Sequence, residues 1–141
     1  MNTIDNVSDK SGKLLAMIIP AEYEAQGIQF FTPNEFSQQL AYMNRPQGYT
    51  IEPHVHNPVP RNVEYTLEVL LIRKGKVQVD FYDTNLVYVD KRVLRTGDVI
   101  LLVSGGHGFT MLEPTEMIEV KQGPYAGEMD KVRFNPAINK Q

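Results

Sequence analysis

The chain has 141 residues, 42% apolar and 22% charged, with a net charge of −3, which suits one soluble domain around a single core. It contains no cysteine, so disulfides, thiolate metal sites and cysteine nucleophiles are excluded, and any metal must be held by nitrogen and oxygen. No Lys/Arg block stands out, which argues against a nucleic-acid partner, and no run approaches the roughly 20 apolar residues of a membrane span.

The first twelve residues are polar, show no strand pattern and are expected to be loose at the very end. They lack the basic start and long apolar run of an export signal, so a cytoplasmic location is expected. LLAMII (14–19) reads as a short strand ended by Pro20, and IQFF (28–31) as a second. In TPNEFSQQLAYM, Thr32 can cap, Pro33 suits a first helical position and Glu35 completes a capping box. Phe36, Leu40 and Met43 then share one helical face, which predicts a single short helix over 33–43.

Beyond Gly48 the pattern changes to short runs rich in β-branched and aromatic residues: TIEPHVH, LEVLLIR, KVQVDFYD, LVYVD, RVLR, DVILLV, GFTML and EMIEVK. Turn-forming clusters such as RKGK, YDTN, RTGD and EPTE separate them. In VQVDFYD, Val77, Val79 and Phe81 alternate with Gln78, Asp80 and Tyr82, a strand with one buried face. LEVLLIR is apolar on both faces and is expected to be covered on both, by the core and by a second layer or subunit. The expected fold is all-β: one antiparallel double-sheet domain spanning residues 1–141, with one short N-terminal helix and a homodimer interface.

The three histidines carry the chemistry. Residues i and i+2 of a strand point to the same side, so a strand at TIEPHVH would align Thr50, Glu52, His54 and His56. Imidazoles about 7 Å apart along a strand can converge on one ion. Glu68 opens a hydrophobic strand, where a carboxylate is costly unless paired, protonated or metal-bound. His107 follows the glycines of LVSGGHGF, which let the backbone bend sharply. Three imidazoles and a carboxylate suit Fe(II), Mn(II), Ni(II), Co(II) or Zn(II).

These segments resemble the motifs of the cupin superfamily. The first runs Gly48, YTIEP, His54-Val55-His56, Glu68, VLLIRK and Gly75; the second runs Gly97, DVILL, Val103-Ser104-Gly105, Gly106 and His107. The likeness covers about residues 46–121. Eleven residues separate His56 from Glu68 where the family has a shorter gap, and Val103 stands where it usually has proline. Glu64 is therefore a rival to Glu68 as the carboxylate ligand. The resemblance implies a jelly-roll barrel holding one divalent metal through His54, His56, Glu68 and His107. It also implies a small-molecule ligand entering at one mouth, with the insertion NPVPRNVEYT as a loop over it. PHVHNPVPRN and EVKQGPY are similar to small single-domain cupins linked to bacterial polysaccharide and nucleotide-sugar pathways, which points to a sugar or nucleotide sugar.

Further candidates follow. Arg61 could clamp a carboxylate or phosphate. Glu119 could act as a general base or orient a ligand, and Tyr125 could donate a proton. Glu52 could orient an imidazole. The expected function is metal-dependent isomerase or epimerase chemistry, with a non-catalytic binding or sensor role and an Fe(II) oxygenase as alternatives.

Overall fold

The structure, a computed structural model, describes residues 3–136. Its ten strands are β1 (Asp5–Ser8), β2 (Leu14–Ile19), β3 (Gly27–Phe30), β4 (Ala41–Asn44), β5 (Glu68–Lys74), β6 (Lys76–Tyr82), β7 (Tyr88–Arg95), β8 (Val99–Leu102), β9 (Gly106–Met111) and β10 (Glu116–Lys121). They form a five-stranded sheet in the order β1-β2-β8-β5-β10, a three-stranded sheet β7-β6-β9 and a two-stranded sheet β3-β4, all antiparallel. The all-β expectation holds. The barrel does not close, however: the sheets keep open edges, β10 among them.

The core forms where the two larger sheets face each other. Val77, Val79, Phe81 and Leu94 of the three-stranded sheet pack against Ala16, Ile18, Leu70, Ile72, Ile100 and Leu102 of the five-stranded one. The alternation in β6 thus sends one face inward, as its sequence requires. Phe81 is 1% exposed, and burying an aromatic ring of that size contributes about 3 kcal/mol. A second cluster covers the outer face of the five-stranded sheet, where Met17, Ile19 and Leu101 meet Leu40, Leu67, Phe31 and Phe36. That cover reaches Val69 but leaves Leu71, Ile118 and Val120 exposed, so the doubly apolar β5 is only partly covered on its outer side.

Three expectations need correction. Residues 33–43 are not helical among the described residues; they form turns and the strand β4, which pairs with β3. The reason is local. Thr32 Oγ1 accepts from Leu40 N at 3.1 Å and donates to Gln39 Oε1 at 2.6 Å. Gln39 Nε2 then donates to the Pro33 and Phe36 carbonyls at 3.0 and 2.9 Å, tying a closed turn. Phe36 and Leu40 still reach the sheet, so the apolar spacing is satisfied without a helix.

TIEPHVH is not a strand either: residues 45–67 carry no regular structure. The polar start, in which no strand was expected, holds β1, whose Val7 enters the core and whose Asp5 pairs with Arg92 at 2.6 Å.

Candidate functional site

Connections between the large sheets require glycine. Gly75, at φ +101°, links β5 to β6, and a Cβ there would overlap the Pro114 carbonyl. Gly105, at φ +72°, leads from β8 into β9, and a Cβ there would overlap the Tyr82 carbonyl. Glu68 opens β5, paired with Leu102 of β8 and Lys121 of β10, and the turn at Gly105 leads His107 onto β9 opposite Phe81. Because Phe81 faces the core, so does its partner His107. Glu68 likewise shares the inward face with Leu70 and Ile72, and on β10 Glu119 and Lys121 share that face.

The result is a polar mouth at one end of the core. His107 Nε2 stands 3.9 Å from Glu68 Oε1, with the two side chains 28% and 18% exposed. Glu68 is pushed up to about 7, first by burial and then by the hydrogen-bonding and negative charge of the neighbouring Glu119 carboxyl; Lys121 and Lys131 act the other way. Burial lowers the pKa of His107, and Lys131 adds to that while Glu119 opposes it. At neutral pH the mouth therefore presents a neutral imidazole and, in Glu68, a carboxyl that is about half protonated.

The segment after β10 borders this mouth, a role its sequence does not announce. Thr66 Oγ1 bonds Asp130 Oδ1 at 2.8 Å, and Leu67 N donates to Gln122 Oε1 at 2.6 Å. Phe134 packs edge-on against Tyr82 with centroids 4.9 Å apart and fills the space over Gly106. Phe134 is an apolar residue in a polar tail, the one signal that could have marked the segment; nothing in the sequence marks Lys131.

His54 and His56 lie in the long loop, exposed, with ring centroids 5.2 Å apart. His54 Nδ1 lies 2.9 Å from the Glu52 carbonyl oxygen. A carbonyl only accepts, so Nδ1 carries the proton and the neutral ring keeps its Nε2 lone pair free. Glu52 thus orients His54, through its main chain rather than its carboxylate. No hydrogen bond or ion pair joins either histidine to Glu68, Glu119 or His107. Glu64 is exposed in the same loop. Arg61 lines a separate groove, and Tyr125 is exposed at the surface, 6.0 Å from Lys121 Nζ.

The structure thus gathers Glu68, Glu119 and His107 and leaves the histidine pair outside. The donors suit a divalent ion chemically, and two ligands of one ion stand roughly 3 Å apart, close to the His107–Glu68 separation. Among the described residues, though, no three His, Asp or Glu side chains form a metal-holding group as folded. Comparison with protein-family models, curated proteins and solved structures finds no match.

Proposed function

We propose that the mouth between the two large sheets is a site for one divalent transition metal, held by Glu68 and His107 and completed by His54 and His56 from the long loop. The site would act on a small polar molecule such as a sugar or nucleotide sugar. One observation carries this reading: β5 and the consecutive strands β9 and β10, distant from it in sequence, bring a carboxyl, an imidazole and a second carboxyl to one end of the core. Burying Glu68 and His107 costs stability, and sites that keep such groups often do so for chemistry. The glycine-dependent crossings between sheets at Gly75, Gly97 and Gly105, and the likeness of the sequence to the cupin motifs, support an open jelly roll of cupin type.

A metal bound there would polarise a substrate carbonyl or hydroxyl. The chain's own groups supply the rest. Glu68, raised to about 7, is an acid–base group poised near neutrality, with Glu119 beside it as the candidate general base. Neutral His107 offers a lone pair without first losing a proton. Lys121 and Lys131 favour an anionic substrate near the carboxyls. These features suit isomerisation or epimerisation of a keto-sugar.

Elemental analysis after anaerobic reconstitution tests the reading. Wild-type protein should carry close to one ion per chain, and both His107→Ala and the double variant His54→Ala/His56→Ala should lose it. A metal-free wild type, or a His107→Ala variant with undiminished metal, would contradict the site. A loaded protein that bound sugars but altered none with any first-row ion would be a binding protein instead of an enzyme.

A further inference from the structure

A groove of about 770 Å³ lies between the turn that joins β3 to β4 and residues 61–63 of the long loop. That volume lies within the range of small-molecule sites. Its two walls differ. One is fixed by the Thr32–Gln39 knot, whose bonds hold the turn carrying Asn34, Glu35 and Phe36. The other is a length of exposed chain in which Arg61 makes only one long contact, 3.5 Å to the Val59 carbonyl.

The lining has unused binding capacity. Phe30 is 63% exposed beside the half-buried Phe36, so an apolar ring face is open to the groove. Arg61 forms no ion pair, although Glu35 lines the same groove, and the side chains of Asn34 and Asn62 bond no other described residue. An open aromatic face takes the C–H face of a ring. Free amides and a carboxylate take hydroxyls in both directions, and an unpaired guanidinium takes a carboxylate or phosphate bidentately. From this combination we propose that the groove is a second ligand site, separate from the mouth, for a polyhydroxylated ring bearing one anionic group. The anion sits on Arg61, the ring face on Phe30 and the hydroxyls on Asn34, Asn62 and Glu35. The fixed wall pre-organises half of the contacts, and residues 61–63 close on the bound molecule. Occupancy would thereby restrain the same loop that carries His54 and His56.

The site can be tested without metal, so its failure and that of the metal site are distinguishable. Full-length ¹⁵N-labelled protein would be titrated with glucuronate, glucose 6-phosphate and glucose, and amide shifts followed. The expected result is shifts confined to residues 30–39 and 61–63, with tighter binding of the anionic sugars than of glucose. Arg61→Ala should weaken the two anionic sugars at least ten-fold and leave glucose unchanged, whereas Phe30→Ala should weaken all three. Both side chains are exposed, so both variants should melt as wild type does. The tighter of the two anions would identify carboxylate or phosphate as the preferred group. Absence of shifts in these segments would overturn the proposal, as would an Arg61→Ala variant that bound anionic sugars normally or shifts centred on Glu68 and His107.

Discussion

Glu68 and His107 sit on strands paired in the two large sheets; His54 and His56 sit in residues 45–65, whose bonds among the described residues reach no further than four residues along the chain. In the first region, position follows from the sheets: β5 is held between β8 and β10, and β9 lies against β6. In the second, Arg45 stacks over Tyr49, Tyr49 N donates to the Pro46 carbonyl, and His54 bonds Glu52, all local. Residues 45–65 are exposed throughout, Ile51, Val55, Val59 and Tyr65 included. Unstructured connections of this length inside a compact domain are uncommon and are often functional. The contrast teaches that half of the candidate site is built by the fold and half is carried by a segment the fold does not hold. On the proposed reading, metal binding at the mouth would also order the loop.

The contrast shows first in stability. Phe81→Ala, in the core beside His107, should cost about 3–5 kcal/mol, whereas Val55→Ala between the two loop histidines should stay within about 0.5 kcal/mol. Chemical denaturation of the metal-free protein reads both. A Val55→Ala cost comparable to that of Phe81→Ala would show the loop packed into the domain and would end the distinction.

A smaller effect separates the two regions by pH. Glu68 is raised from 4.5 to about 7 on folding, so between those values the folded state binds more protons than the unfolded chain. Its contribution is therefore most favourable at low pH and is lost as pH rises through about 7. Glu68→Gln removes the titration. Metal-free Glu68→Gln should be more stable than wild type at pH 8, by on the order of 1 kcal/mol once solvent screening is allowed for, and the gap should close towards pH 4.5. Thermal melts across this range would check it; equal pH dependence in the two proteins would mean that Glu68 is not held in the mouth. A variant that gains stability while losing metal would fit a site kept at the expense of the fold.

How much could be read beforehand follows the same division. β2 and β6 were legible because LLAMII is short, apolar and stopped by proline, and because Val77, Val79 and Phe81 alternate without interruption. LVYVD and RVLR, read as separate runs, are one strand, β7, since Lys91 and Arg92 project from it without breaking it. The helix was misread because Phe36, Leu40 and Met43 fit a helical period that a knotted turn and a strand satisfy equally, and no local signal marks Gln39 as its fastener. β1 escaped because its stability comes from a single buried valine and an ion pair 87 residues away, which period alone cannot show. That Glu68, His107 and Glu119 lie in strands was legible from the short apolar runs that hold them. The HxH pair was legible as a pair, and its rings do stand side by side, but the strand assumed beneath it rested on β-branched composition in a segment that contains Pro53 and is followed by Pro58 and Pro60. Lys131 and Phe134 act from the tail through tertiary contact, beyond any sequence pattern.

The most direct test of a site shared between mouth and loop uses the fact that the chain has only three histidines. Zinc titration followed through the ¹⁵N signals of the imidazole rings reports on each of them separately. The account predicts that His54, His56 and His107 all shift together and saturate at one ion per chain. A shift of His54 and His56 alone, with His107 unmoved at saturation, would show the loop chelating metal by itself and would contradict a joint site at the mouth.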